Sequence, residues 1–249
     1  MQVLIVHCHP EPGSFNAALT GDARETLERA GHSVDVADLY AEGFDPVERR
    51  EHFDDRLDPS RFKPLDEQRH AVNHDRLAPQ VVQDIERLKR ADLVILQFPL
   101  WWHGPPAMLK GWFDRVFVYG GLYSGQRRFD RGPLSSRRAL CSVTTGGPRE
   151  TFSTYGRSGD ITTFMWSLHC SLYYVGFDVL APQIVYGVQG GGLSYEAEDD
   201  FQRRLEIARK EWRARLPALD DEAAIPFSGW QDWDDRGVLK ERHPLRWRV

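Results

Sequence analysis

Three short segments of this 249-residue chain carry the side chains best suited to chemistry. The first is His9-Pro10-Glu11-Pro12-Gly13-Ser14-Phe15-Asn16, which precedes an amphipathic stretch. Ser14 and Asn16 can present hydroxyl and amide groups at a helix N-terminus, where free backbone N–H groups and the helix dipole attract phosphate. Taken alone, the segment could equally be a helix N-cap. It contains neither GxGxxG nor GxxxxGK, so the usual dinucleotide and P-loop fingerprints are absent. The second is Pro99-Leu100-Trp101-Trp102-His103-Gly104-Pro105-Pro106. Prolines fix the loop's shape, and two adjacent indoles are costly to leave in water unless they wall a planar ligand or pack into the core. The third is Thr144-Thr145-Gly146-Gly147, whose hydroxyls and unobstructed amides suit the polar edge of a flat heterocycle, or simply a glycine turn.

These segments gain meaning from the elements that must hold them. Gln2 to His7 is an apolar run without helical period, followed by the first loop and an amphipathic stretch from Ala17 to Ala30 that Gly31 stops. Ser33 to Leu39 alternates, and Ala91 to Phe98 is nearly continuous in apolar residues, as in a strand buried on both faces. Arg138 to Val143 and Pro182 to Val188 complete five expected strands, with helical periods at Pro79 to Arg90, Ala107 to Val118 and Ile161 to Val175. Alternating units of this kind predict an α/β fold: a doubly wound five-stranded parallel sheet with helices on both faces. In such a sheet, ligands bind beyond the carboxyl ends of the strands. The three loops follow strands one, three and four, and therefore converge on one edge.

Two segments stand outside the alternation. Asp45 to Leu77 is a charged excursion with His52, His70 and His74, expected to hold at most a short helix. Beyond residue 216, the tail 217–249 places Trp230, Trp233 and Trp247 among charges and reads as an extended arm on the body (1–216) or on a partner subunit. The net charge of −5 and a pI near 6.0 leave no basic face for nucleic acid. Three cysteines without a CxxC pair support neither a disulfide framework nor a zinc knuckle, and His7 with His9 lacks further ligands at usable spacing, so no metal is expected. No apolar run approaches about 18 residues and no leader-like segment precedes the first strand, so a cytoplasmic protein without a membrane span is expected.

With the loops placed, the sequence resembles the NAD(P)H:quinone oxidoreductase (DT-diaphorase) family of flavodoxin-like fold. SFN after the first strand, QFPLWWHGPPAMLKGWFDRVF, TTGG, ADLY at Ala37 to Tyr40, FDP at Phe44 to Pro46, DP at Asp58 and Pro59, and GFDVLAPQ at Gly176 to Gln183 carry the likeness across about residues 1 to 190. The resemblance implies a homodimeric flavoprotein, with FAD rather than FMN, that passes hydride from NAD(P)H to a quinone-like acceptor in a two-electron ping-pong cycle. It would place His9, Ser14, Phe15, Asn16 and Ala18 on the adenine nucleotide and pyrophosphate. Pro99, Leu100, Trp101, Trp102 and His103 would border the flavin ring, and Thr144, Thr145, Gly146 and Gly147 its polar edge. Tyr123 matches a tyrosine flanking the second-substrate site, whereas Gly125 replaces a second tyrosine and opens the pocket.

Phe152 and Ser158 stand where better-known members place a tyrosine and a histidine that balance charge at the flavin N1/O2 edge. Tyr155 and Arg157 are the candidates to compensate, the latter by charge alone. Two alternatives remain open: an FMN-dependent azo or nitro reductase on the same fold, and an ancillary regulatory subunit of a potassium efflux system.

Overall fold

The computed structural model describes residues 1–189 and 196–240. In chain order it contains β1 (Gln2–His7), α1 (Phe15–Arg29), β2 (Ser33–Asp38), α2 (Pro64–Asn73), α3 (Pro79–Arg90) and β3 (Leu93–Pro99). There follow α4 (Ala107–Val116), β4 (Arg138–Thr144), α5 (Ile161–Tyr174), β5 (Asp178–Val179), β6 (Gln183–Val185) and α6 (Glu198–Arg215).

All strand pairings are parallel, and the order β2-β1-β3-β4-β5 puts a switch in chain direction between β1 and β3. The period-two geometry of a strand sorts β1 between two cores. Val3 and Ile5 join Leu19, Ala23 and Leu27 of α1 and Trp212 of α6, while Leu4 and Val6 join the inward faces of α3, α4 and α5. The expected doubly wound sheet with helices on both faces is therefore present, with α1 and α6 on one side and α3, α4 and α5 on the other.

The fifth sheet position differs from the single strand expected at Pro182 to Val188. β5 pairs with the start of β4 and β6 with its end. The Leu180 amide still donates to the Ala139 carbonyl at 2.8 Å, but Pro182 has no N–H to continue the ladder. Beyond β6, the amides of Gly187 and Val188 donate to the carbonyls of Gly147 and Thr145, each at 2.9 Å, so the chain is zipped to the glycine loop. The charged excursion holds α2 and is pressed onto α4 at Gly111, where a Cβ would come within 2.0 Å of the Pro46 carbonyl oxygen.

The described part of the tail lies against the body. The Ile225 amide donates to the Val179 carbonyl at 2.7 Å, Phe227 stacks on Tyr173 with ring centroids 4.3 Å apart, and Trp230 Nε1 donates to the Arg128 carbonyl at 2.9 Å. Trp233 packs its ring against Phe129. Trp247 lies outside the described residues.

Candidate active site

The loops after β1, β3 and β4 meet at the carboxyl edge of the sheet, and a buried polar chain joins them. Gln97 Nε2, near the end of β3, donates to Asn16 Oδ1 at 2.8 Å, and Asn16 Nδ2 donates to Thr144 Oγ1 at the end of β4, also at 2.8 Å. All three side chains are buried, so each bond is formed away from water and fixes the spacing of the loops. Ser14 caps α1, its Oγ accepting from the Ala17 amide at 3.1 Å. The amides of Phe15 and Asn16 in the first turn find no acceptor in the protein among the described residues. They offer donors to an anion at the positive end of the helix. His9, whose Nδ1 accepts from the Glu11 amide at 3.0 Å, turns its ring toward Trp101 at 6.1 Å. Ala18 sits one turn in, its amide bonded to the Ser14 carbonyl.

Strand β3 ends at Pro99 and runs into a tight reversal. Leu100 is still tied to the Thr144 carbonyl at 2.8 Å, and Trp101 and Gly104 exchange backbone hydrogen bonds of 3.0 and 3.1 Å. The two residues between them, Trp102 and His103, have φ of 49° and 62°. Positive φ at both central positions is the geometry that asparagine and glycine usually supply, so a tryptophan and a histidine here hold strain. Trp102 is 97% exposed, its indole projected into solvent beside the sheet edge. His103 is exposed as well, with its ring centroid 4.8 Å from that of Phe164 at the start of α5.

In the glycine loop the Thr145 hydroxyl donates to the Gly147 carbonyl at 2.9 Å, while the amides of Gly146 and Gly147 have no acceptor among the described residues. The Phe152 ring closes the loop from beneath: a Cβ on Gly147 would lie 3.2 Å from it. Phe152 also faces Tyr186 at 6.0 Å. Tyr155 is fully exposed, and Arg157 is exposed and forms no ion pair among the described residues. The Ser158 amide donates to the Thr151 carbonyl at 2.9 Å.

Tyr123 is not gathered with these loops. It is partly buried between Tyr119 and Tyr174, at 5.4 and 5.3 Å, and burial raises its hydroxyl pKa, with both neighbouring tyrosines adding to the rise. It lines a groove of about 820 Å³ between α2, α4 and α5 that reaches Pro105 at the base of the tryptophan loop.

Three residues beside these loops escaped the sequence reading: Gln97, and Arg149 with Tyr186, the Arg149 guanidinium carbon lying 5.7 Å from the Tyr186 ring centroid. Gln97 had a visible signal, being the one polar residue in the apolar core of β3. Arg149 and Tyr186 had none, because their pairing depends on the zipper between the glycine loop and the chain after β6.

A family model described as flavodoxin-like fold matches residues 1–216. The chain is 38% identical over 229 residues to NAD(P)H dehydrogenase [quinone] 1 of Cavia porcellus, covering 91% of this chain and 80% of that protein. The chain belongs to the NAD(P)H dehydrogenase (quinone) family. Another member, ribosyldihydronicotinamide dehydrogenase [quinone] of Homo sapiens, is 38% identical over 227 residues, with 90% and 94% covered. Among solved structures, a candidate quinone reductase from Klebsiella pneumoniae aligns with a TM-score of 0.83 at 30% identity over 96% of this chain and 94% of its own. An FMN-dependent NADH-azoreductase from Bacillus anthracis, at 17% identity and a TM-score of 0.57, shares the fold. NAD(P)H dehydrogenase (quinone) membership accounts for the order of the three loops. No described helix is long and apolar enough to cross a membrane.

Proposed function

We propose that this protein is a flavin-dependent oxidoreductase that moves hydride from NAD(P)H, through bound FAD, to a quinone-like acceptor in a two-electron ping-pong cycle. The observation that carries the reading is the Gln97–Asn16–Thr144 chain, which locks an anion-ready helix terminus, an exposed aromatic wall and a glycine edge into one site. The residues present fit a flavin dinucleotide: the unpartnered amides of Phe15 and Asn16 suit a pyrophosphate, and those of Gly146 and Gly147 suit the carbonyl edge of the ring. Bound flavin supplies the hydride acceptor and donor, and the protein supplies position and electrostatics.

In this reading His9, Ser14 and Ala18 order the nucleotide end. Pro99 and Leu100 set the height of the wall that Trp101, Trp102 and His103 form, and Thr144 and Thr145 hold the glycine edge rigid. Tyr123 flanks the acceptor from the neighbouring groove, and the working form is a homodimer. Phe152 has no exchangeable proton, so acid–base help at the polar edge must come from other groups. Loss of such a group typically slows a reaction by about 10²- to 10⁴-fold without abolishing it. The body 1–216 would hold the flavin and the arm 217–249 would brace it.

The test is direct. Purified protein is expected to be yellow and to release FAD on denaturation, identified by mass; release of FMN would favour the azoreductase-like reading. Anaerobic NADH or NADPH should bleach it, and a simple benzoquinone should restore the colour. A colourless protein that binds no added flavin would sink the proposal.

A further inference from the structure

Hydride brings two electrons and one proton, so a flavin that accepts it gains one negative charge. With phenylalanine at 152 and serine at 158, neither of those positions can meet that charge with a proton donor of the expected kind. The described structure holds a different cation beside the glycine loop. Arg149, two residues beyond Gly147, has its guanidinium carbon 5.7 Å from the centroid of the Tyr186 ring. Tyr186 is fixed in turn: the next residue's amide is bonded to the Gly147 carbonyl, and its ring faces Phe152. Phe152 lies against Gly147 itself. Arg149, Phe152 and Tyr186 line one cleft of about 930 Å³.

We infer that Arg149, held across Tyr186, is the positioned positive charge that stabilises the reduced flavin at the glycine edge of this protein. The inference rests on the flavin reading above. Its anchoring favours Arg149 over Arg157. Both side chains are exposed, but Arg149 is anchored on an aromatic ring, whereas Arg157 makes no hydrogen bond, ion pair or ring contact among the described residues. Among the described residues no carboxylate lies within ion-pair distance of either arginine, so the charge of Arg149 is not cancelled locally. The nearest acidic group acting on Tyr186 is Asp160, which is occupied as the cap of α5, accepting from the Thr162 amide and hydroxyl and from Thr154. Burial raises the Tyr186 hydroxyl while Arg149 pulls against it, so tyrosine stays a neutral support and not a second charge.

The experiment measures the flavin's two-electron midpoint potential against a reference dye in flavin-loaded wild-type protein and in Arg149→Met, Arg149→Lys, Tyr186→Phe and Arg157→Met. Flavin stoichiometry and the dissociation constant of oxidised flavin are recorded for each. Arg149→Met should lower the reduced-to-oxidised ratio at fixed potential by about tenfold, equivalent to about 30 mV for a two-electron couple. Arg149→Lys should recover most of that shift, Tyr186→Phe should give a partial one, and Arg157→Met should leave the potential in place. An unchanged potential in flavin-loaded Arg149→Met, or equal shifts in Arg149→Met and Arg157→Met, overturns the inference while leaving the flavin reading intact. Failure of the wild-type protein to bind flavin overturns both.

Discussion

The Trp102–His103 reversal concentrates strain in two side chains that the core does not use. A non-glycine residue in the left-handed region costs about 1–2 kcal/mol, and Trp102 recovers none of it by burial, since its indole is 97% exposed. Asparagine tolerates that backbone region, so Trp102→Asn should raise the ligand-free protein's stability by up to about 1 kcal/mol in urea titrations while slowing flavin reoxidation by a quinone. Loss of stability with unchanged reoxidation would show that the indole is structural. Asn16 poses the opposite case. Asn16→Ala leaves the Gln97 amide and the Thr144 hydroxyl buried without their partner, at a cost of about 2–4 kcal/mol. Flavin affinity should fall with stability, because the same two bonds space the loops; a variant that lost stability but kept its flavin dissociation constant would separate the two roles.

At the scale of elements, α6 and the first loop's helix are one unit. Asp22 of α1 accepts from Arg209 Nε at 2.7 Å and from Arg213 Nη1 at 2.9 Å, and Trp212 Nε1 donates to the Leu19 carbonyl at 3.1 Å. Burial pushes the Asp22 carboxyl up, but the two arginines outweigh it and hold it below the usual carboxylate range. Its contribution is therefore complete above the unfolded value near pH 4 and is lost as pH falls through the depressed folded value. Asp22→Asn should cost about 2–4 kcal/mol at pH 7 and progressively less as pH falls below about 4, read as the change in urea midpoint; a loss that does not shrink with falling pH would mean that packing, not charge, is what the substitution disturbs. The sequence hid this helix. Only Phe201 and Trp212 of its 18 residues are buried, too thin a stripe among charges to show a period. By contrast β1 and α3 were readable to the residue, because a continuous apolar run and a Val81–Asp84–Ile85–Leu88 spacing each have one geometric solution. The split between β5 and β6 was half legible: Pro182 is a visible ladder breaker, but two residues of β5 are too short to leave a pattern.

Across the whole molecule, the sheet's carboxyl edge could be located from the sequence because alternating units imply a parallel sheet whose loops after the strands share one edge, and each loop carried its own signal. What stayed hidden was contact between distant segments, such as Arg149 with Tyr186, which only the folded edge brings together. The same folding buries a histidine of α5 completely. His169 of α5 is 0% exposed, and burial lowers its pKa from 6.5 to about 3. His7 of β1 shifts in the same direction, burial outweighing the attraction of Asp38. A folded value below the unfolded one means that the unfolded chain binds a proton that the native protein refuses. Stability is therefore unaffected by this group above about pH 6.5 and declines as pH falls from there toward 3, with a limiting slope of about 1.4 kcal/mol per pH unit per proton. Urea midpoints taken at pH 7, 5.5 and 4.5 should trace that decline. His169→Leu should flatten it by close to one proton's worth even if the substitution shifts stability at pH 7, because the slope reports the proton and the intercept reports the packing. A parent and variant with parallel pH profiles would show that His169 is not the group that limits the fold in acid.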